Sequence, residues 1–457
     1  MKVLLAAINA KYIHSNLGIY SLKTYGEKML KEWGLAEEAK VSLAEYTINH
    51  QMEQILQDIY KRKPDVIGFS CYIWNISYVK MILADIKKVL PDVKIWAGGP
   101  EVSYHGEAFL KEEPAVDLVM MGEGELTFAH FLKALLEGED LKQVPGLMVR
   151  NADGTFTDTG FRQVMDMSQI PFPYAFMDMK ELEHRIIYYE SSRGCPFSCS
   201  YCLSSIDKKL RFRNLELVKK ELQFFLDHKV PQVKFVDRTF NCNPRRTVEL
   251  LNWIQEHDNG VTNFHFEIAA DITTEEELAI MEQMRPGLIQ LEIGVQSTNP
   301  KTVEAIHRTM DLTKLAEVVS RVKGFGNIHQ HLDLIAGLPY ENLESFQKSF
   351  CSGSIHISAC FLHCLHDHLC HITGGLRIQS FIIVPCKSFL KFFHRYFLIL
   401  IDQFADCKKS ICHIGDSKSL RTCKVVNSST FLDRLAFFQI IIDHMFAVDQ
   451  TELFQIV

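Results

Sequence analysis

The sequence lacks both a strong excess of charge of one sign and a long apolar run at its start. Its 457 residues carry a formal net charge of −7, which gives no global reason to bind nucleic acid. Residues 1–9 hold one positive charge and an apolar run that is too short for a signal peptide or a membrane helix. We therefore expect no nucleic-acid partner and no membrane partner, and we expect the protein in the reducing cytoplasm.

Cysteine is scarce in most of the chain and concentrated near its end. Five of the thirteen cysteines precede residue 351, and the other eight lie in residues 351–457. That last segment has only one proline, Pro385, one tyrosine, Tyr396, and no tryptophan. Its stretch 363–371 is dense in histidine and cysteine, but these interleave without a recognisable zinc-ligand pairing. We expect residues 351–457 to be an atypical tail.

The first 150 residues alternate short apolar runs with amphipathic stretches of helical spacing. The candidate strands are residues 3–8, 41–46, 65–70, 94–97 and 117–121. Helical spacing between them, for example over residues 76–90 and 125–136, predicts a doubly wound, Rossmann-like α/β domain built on a parallel sheet. A turn at residues 151–154 predicts a small hairpin that closes this unit.

The strand ends of this first domain are rich in small residues. Open parallel sheets bind ligands beyond the carboxyl ends of their strands. Gly98, Gly99 and Gly122 with Glu123 lie at two of these ends. Because glycine lets a bulky ligand approach the backbone, these residues are candidates for a binding site.

A second alternating series follows a proline-containing linker at residues 151–185. Its candidate strands are residues 186–191, 232–237, 264–268, 289–293 and 329–335, with helical stretches between them. Five successive strand and helix units predict a partial, TIM-like (β/α) barrel over residues 186–350. Its active site is expected at the C-terminal face of the strands.

Cys195, Cys199 and Cys202 form a C-x3-C-x2-C motif directly after the first predicted strand of the barrel. Thiolates are the ligands that iron-sulfur clusters require, and three closely spaced cysteines can bind three corners of one cluster. With no fourth cysteine nearby, one iron would stay open for a substrate. Zinc is the alternative interpretation, although a structural zinc site usually has four ligands.

At this motif the sequence resembles the radical SAM superfamily, in which an aromatic residue, here Tyr201, precedes the last cysteine. The resemblance implies a [4Fe-4S] cluster whose open iron chelates S-adenosylmethionine (SAM). An electron from the cluster would then cleave SAM to methionine and a 5′-deoxyadenosyl radical. A reductant such as a flavodoxin or a ferredoxin is the implied partner.

The resemblance also assigns cofactor-binding residues at the strand ends of the barrel. Asp237 lies in a segment that looks like a variant of the motif that binds the SAM amine. Glu267 and Gln296 end the third and fourth strands, where polar groups would take the ribose and amino-acid moieties. Gly337 belongs to a late glycine turn that would lie beside adenine. For each polar residue, ordinary barrel packing or helix capping is the alternative.

The N-terminal domain resembles the cobalamin-binding domain that precedes the barrel in one subgroup of this superfamily. The glycine turns at Gly98 and Gly122 match that subgroup, but the Asp-x-His-x-x-Gly loop, whose histidine ligates cobalt, is missing. His14 is its nearest counterpart, and we expect it to be a structural or polar pocket residue and not a cobalt ligand. Either cobalamin binds without a protein histidine, or the domain has lost it. The likeness stops near residue 345, and we hypothesise that the tail, which would leave the barrel incomplete, derives from a shifted reading frame.

These features predict a radical SAM enzyme, with cobalamin-dependent methyl transfer to an unknown substrate as its fullest form. One alternative is a radical SAM oxidoreductase or cyclase without cobalamin chemistry. A non-catalytic iron-sulfur protein and an inactive truncated product are the others. The sequence does not identify the substrate.

Overall fold

A seven-stranded sheet covered by helices makes up the N-terminal part of the computed structural model, which describes residues 1–206 and 208–351. Its strands are β1 (Lys2–Asn9), β2 (Lys40–Thr47), β3 (Val66–Ser70), β4 (Lys94–Gly98), β5 (Leu118–Met120), β6 (Leu147–Arg150) and β7 (Phe156–Asp158). Its helices are α1 (Leu17–Glu32), α2 (Met52–Arg62), α3 (Ile76–Val89), α4 (Pro100–Ser103), α5 (Gly106–Glu112) and α6 (Glu125–Glu137). The hypotheses on the tail, including the one on the histidine- and cysteine-rich stretch 363–371, concern residues 352–457, which lie outside the described part.

The order of this sheet is β2-β1-β3-β4-β5-β6-β7. The first five strands are parallel, and β6 and β7 add an antiparallel edge. Successive side chains of β1 point to opposite faces of the sheet, and both faces are covered by helices, so β1 is buried from Val3 to Asn9. Val3 and Leu5 pack in the core with Phe128 and Phe131 of α6, whereas Leu4 and its even-numbered neighbours pack in the core with α2 and α3. The predicted doubly wound domain is confirmed.

The second part is a five-stranded parallel sheet wrapped by helices. The strands of this part, two of which lie outside the five-stranded sheet, are β8 (Ile187–Tyr189), β9 (Ser192–Arg193), β10 (Arg211–Phe212), β11 (Gln232–Phe235), β12 (Asn263–Ile268), β13 (Ile289–Gln296) and β14 (His329–Leu334). Its helices are α7 (Leu215–Asp227), α8 (Pro244–Glu256), α9 (Glu275–Glu282), α10 (Pro300–Ala305), α11 (Leu312–Phe325) and α12 (Leu343–Cys351). The parallel strands run β14-β13-β12-β11-β8, and β9 with β10 forms a separate antiparallel ribbon. The predicted partial barrel is confirmed.

The segment between the two sheets consists of short 3-10 turns at Met167–Gln169, Pro173–Phe176 and Met179–Leu182. Tyr174 is fully buried there, and its hydroxyl donates to the carbonyl of Tyr188 at 2.6 Å. Since β7 pairs with β6, the N-terminal sheet continues past residue 150. The proposed division of the chain at residues 150 and 185 stays a prediction.

Backbone hydrogen bonds join the two parts directly. The Ile186 N–H donates to the Ile13 carbonyl at 2.7 Å, and the Ser15 hydroxyl donates to the Ile186 carbonyl at 2.8 Å. His14 and Ile186 form an isolated parallel bridge. The N-terminal loop after β1 therefore supports the start of β8. In the described part of the chain, no helix is long and apolar enough to cross a bilayer.

Candidate active site

The three motif cysteines lie on the loop that follows β9, at the C-terminal edge of the barrel sheet. Cys195 and Cys199 are buried, Cys202 is half-buried, and none of them is in a disulfide. The Cys202 N–H donates to the Cys199 carbonyl at 3.1 Å, and the Ser200 N–H donates to the Ile306 carbonyl at 2.9 Å. The loop is thus held by its own turn and by the end of α10.

The donor set of this loop fits an iron-sulfur cluster. Among the residues that the structure describes, no three His, Cys, Asp or Glu side chains are grouped closely enough to hold one metal ion. A single ion gathers its ligands around one atom, whereas the thiolates of a cluster bind separate irons. Three thiols on one short loop, none of them in a disulfide bond, match the need of a cluster for thiolates that bind separate irons. The assignment of the three cysteines as cluster ligands stays a prediction.

Asp237 lies under the segment that leads into the cysteine loop. It is 2% exposed, and its Oδ1 accepts from the Ser191 N–H at 2.7 Å. Its Oδ2 accepts from the hydroxyls of Ser191 and Ser192 at 2.6 and 2.8 Å. Burial raises the pKa of Asp237, and the serine hydrogen bonds oppose that rise. The structure thus makes Asp237 an anchor of the loop, and its role toward SAM stays a prediction.

Arg308, which follows α10, also contacts the cysteine loop. Its Nη1 lies 3.8 Å from Cys199 Sγ and donates to the Tyr201 hydroxyl at 3.2 Å. Its Nη2 donates to the Gly294 carbonyl on β13. Burial raises the pKa of Tyr201 to about 12, so that this hydroxyl stays protonated. Sequence reasoning missed Arg308 because no motif links it to the cysteines.

Gln296 ends β13 in a left-handed conformation, with a φ of 66°. Its side chain folds back over Gly294, where a Cβ atom would lie 2.3 Å from Gln296 Nε2. Its Oε1 is buried and has no hydrogen-bond partner among the described residues. An unpartnered carbonyl oxygen at a strand end fits a ligand with amino or hydroxyl donors, as SAM has. Gly337, with a φ of 87°, turns the chain after β14.

The inner face of the barrel sheet carries ionisable side chains instead of apolar ones. Lys234 Nζ and His265 Nε2 lie 2.6 and 3.1 Å from Glu292 Oε2. Burial would raise the pKa of Glu292, but these neighbours lower it to about 2. Burial and the charge of Glu292 raise the pKa of Glu267 and of Asp333 to about 7. Glu267 therefore lies in a charged interior, and its protonated and ionised forms are similarly populated at neutral pH.

The predicted glycine turns lie at the carboxyl edge of the N-terminal sheet. Gly98 accepts from the Cys71 N–H at 2.7 Å, and Gly99 has a φ of 109°. A Cβ atom on Gly99 would lie 2.5 Å from the Cys71 carbonyl oxygen, so the two loops need glycine to meet. Gly122 has a φ of 71°, and a Cβ atom there would lie 3.1 Å from the Phe161 ring.

Glu123 meets the barrel at this edge. Its carboxylate pairs with Arg193, which precedes the cysteine loop, at 3.2 Å, and with Arg211 on β10. Glu125, at the start of α6, lies 2.5 Å from Arg193 and is buried. The predicted role of Glu123 toward a corrinoid stays a prediction, but both glutamates now connect the two parts of the chain. Sequence reasoning assigned no role to Arg193, Arg211 or Glu125.

His14 is engaged by the barrel. Its Nδ1 lies 2.6 Å from the Tyr188 hydroxyl, and burial lowers the pKa of His14. Exposed apolar side chains follow β1 and β3 and lie at the Gly122 turn: Tyr12 (60% exposed), Ile73 (64%) and Phe161 (57%). Exposed apolar groups beside glycine turns fit the flat ring of a corrinoid without requiring a histidine ligand. The structural role expected for His14 agrees with this hydrogen bond.

Family comparisons agree with the geometry of both parts. Residues 3–132 match the model of the B12 binding domain, and residues 189–350 match that of the radical SAM superfamily. An uncharacterized methyltransferase, PH0819, of Pyrococcus horikoshii is 26% identical over 302 residues, which are 65% of this chain and 65% of that protein. The cobalamin-dependent radical SAM methyltransferase TokK of Streptomyces tokunonensis is 28% identical over 302 residues, which are 62% of this chain and 44% of that protein.

A solved structure supports the shared fold. The cobalamin-dependent S-adenosylmethionine radical enzyme OxsB, with aqua-cobalamin and S-adenosylmethionine bound, superposes with a TM-score of 0.62 at 19% identity. The match covers 76% of this chain and 51% of that chain. The chain spans 65% and 44% of the length of the two curated relatives above.

Proposed function

We propose that this chain, a radical SAM protein with an N-terminal B12-binding domain, cleaves SAM reductively and transfers a methyl group to a substrate that is still to be identified. The observation that carries the proposal is the cysteine loop at the C-terminal edge of a parallel half-barrel, joined to a second sheet by the pairing of Arg193 with Glu123 of a glycine turn. Relatives named as methyltransferases favour methyl transfer over the alternative without cobalamin chemistry.

Different residues of the chain would bind the cluster and SAM. Cys195, Cys199 and Cys202 would hold the cluster and leave one iron open, while Gln296 and Glu267 would take polar groups of SAM. When bound, the cluster supplies the electron that splits SAM into methionine and a 5′-deoxyadenosyl radical, and the corrinoid carries the methyl group. A flavodoxin or a ferredoxin in the cytoplasm would provide the electron.

Asp237 and Arg308 keep this site in order. Asp237 fixes the backbone before the loop by three hydrogen bonds, and Arg308 donates toward Cys199 and the Tyr201 hydroxyl. A preorganised loop needs little rearrangement when the cofactor binds. These two residues therefore orient the cysteines and do not themselves react.

The test is anaerobic reconstitution of the full chain with iron and sulfide, followed by incubation with SAM and dithionite. We expect iron for one four-iron cluster per chain and 5′-deoxyadenosine at least tenfold above the Cys199→Ala variant. Cys71→Ala, a cysteine of the N-terminal part outside the motif, is the matched control and should keep both the iron and the product. Zinc at the motif, or a loaded cluster that gives no 5′-deoxyadenosine, would refute the proposal.

Methyl transfer has its own readout. S-adenosylhomocysteine forms when SAM gives up its methyl group, so its formation should depend on added cobalamin. If 5′-deoxyadenosine forms while S-adenosylhomocysteine is independent of cobalamin, the alternative oxidoreductase or cyclase function is the correct one.

A further inference from the structure

We propose that Arg193 is a positioning residue that fixes the cysteine loop against the N-terminal sheet, and so sets the relation between the two cofactor sites. The functional consequence rests on the proposed function, whereas the structural part of the proposal does not. The proposal concerns the five charged side chains that we call the interface network: Glu123, Glu125, Glu190, Arg193 and Arg211.

Arg193 is the centre of this network because its guanidinium reaches three carboxylates at once. Its Nη2 donates to Glu125 Oε1 at 2.5 Å, and its Nη1 lies 3.2 Å from oxygens of both Glu123 and Glu125. Its Nε donates to Glu190 Oε2 at 2.9 Å. Two of these carboxylates belong to the N-terminal part and one to the barrel. The planar fork of arginine therefore spans the boundary.

A second arginine, Arg211, also binds Glu123. Arg211 lies opposite Arg193 in the antiparallel pair of β9 and β10, and it binds Glu123 through both terminal nitrogens. Its Nη1 also donates to the Met165 carbonyl at 3.2 Å. The short ribbon thus presents two guanidinium groups side by side to one loop of the N-terminal part. This arrangement fixes the position of the β9–β10 ribbon relative to the N-terminal part.

The network lies largely out of solvent, since Glu125 is buried and the other four side chains are partly buried. The side chains of Arg193 and Glu125 are 15% and 6% exposed. Burial would raise the pKa of Glu125, but the charge of Arg193 holds it below its ordinary value. A buried charge that loses its partner is strongly destabilising, whereas an exposed ion pair contributes little. Any shift of one part against the other would break these contacts.

Both ends of the network lead directly to a proposed cofactor site. Arg193 is two residues before Cys195, and Glu123 follows Gly122, whose turn faces Phe161. Glu125 starts α6, which is fixed in the core by buried Phe128. A displacement at Arg193 is therefore transmitted to the cysteines on one side and to the glycine turn on the other.

Hydrogen exchange followed by mass spectrometry on the full chain tests the structural part. The variants are Arg193→Gln, Arg193→Lys and Glu125→Gln. We expect at least tenfold faster exchange of the 188–202 and 118–126 segments together, with a smaller change in Arg193→Lys because it keeps the charge. Arg285→Lys is the matched control, since Arg285 binds both oxygens of Asp258 at 2.7 and 3.0 Å within the barrel.

The product ratio tests the functional part. In Arg193→Lys, S-adenosylhomocysteine should fall at least fivefold relative to 5′-deoxyadenosine. The first product needs the corrinoid site in its correct position relative to SAM, whereas the second needs only the cluster and SAM. Arg285→Lys should keep the wild-type ratio. Faster exchange confined to the 188–202 segment, or equal changes in Arg285→Lys, would overturn the proposal. If the wild type makes no 5′-deoxyadenosine, the proposed function fails, and the exchange data still decide the role of Arg193.

Discussion

Replacing Asp237 by alanine should weaken both the fold and the capacity to hold iron. The substitution leaves the buried Ser191 N–H without its acceptor, which costs about 1–3 kcal/mol. The hydroxyls of Ser191 and Ser192 also lose a charged acceptor, although they can rotate toward other groups. Removal of a buried carboxylate returns part of this cost. We expect a net loss of about 2–4 kcal/mol in the free energy of unfolding.

The conservative variant refines this expectation. In Asp237→Asn the amide oxygen can still accept from the Ser191 N–H, and the amide nitrogen can donate to a serine hydroxyl. The loss should therefore be about 1 kcal/mol. Urea denaturation of the apoprotein measures both values, and iron analysis after reconstitution measures loop integrity. We expect the iron content to fall in the order wild type, Asp237→Asn, Asp237→Ala.

Asp258→Ala is the matched control for this series. Asp258 is a partly buried carboxylate that accepts from Arg285, and it lies away from the cysteine loop. It should lose stability while keeping the iron content of the wild type. Wild-type stability and iron content in Asp237→Ala would refute the argument that Asp237 anchors the loop.

Three further perturbations have defined outcomes. His14→Ala should lose about 1 kcal/mol of stability with the Tyr188 hydrogen bond yet bind cobalamin within twofold of the wild type, and loss of the corrinoid absorption would contradict this. Arg308→Met removes a donor beside a predicted cluster sulfur and should lower the reduction potential in an EPR-monitored titration; an unchanged potential argues against that contact. Raised pKa values mean that Glu267 and Asp333 stabilise the fold below a pH of about 4 and lose this contribution as the pH rises through about 7. The doubly amidated variant (Glu267→Gln, Asp333→Asn) should therefore show a flatter profile of urea midpoint against pH, and a steeper one would be the opposite result.

The sheets could be predicted from the sequence because buried parallel strands have a simple pattern. The apolar run at residues 3–8 became β1, Lys2–Asn9, with one extra residue at each end. The strand predicted at residues 289–293 instead continues to Gln296 as β13. Gly294, the first residue beyond the predicted end, lies at an irregularity in the pairing with β14, where Gln296 folds back.

Contacts between distant segments could not be predicted. Strands β9 and β10 have two residues each, too few for any periodicity. Arg308 reaches Cys199 across 109 residues, and Glu123 meets Arg211 across 88. Such pairs depend on how the barrel curves and on where the two sheets meet. The alternation of apolar and polar residues along the chain specifies neither the curvature of the barrel nor the place where the two sheets meet.

The bridge between His14 and Ile186 has a consequence for biosynthesis. On the ribosome every strand of the N-terminal sheet is synthesised before residue 186, so the loop after β1, with its Ile13 carbonyl, precedes the Ile186 N–H that it accepts from. Order of synthesis and order of assembly then coincide, and closing the intervening loop costs only a logarithmic entropy term. A circular permutant that is translated barrel first would have to build its first strand without this template and should fold more slowly.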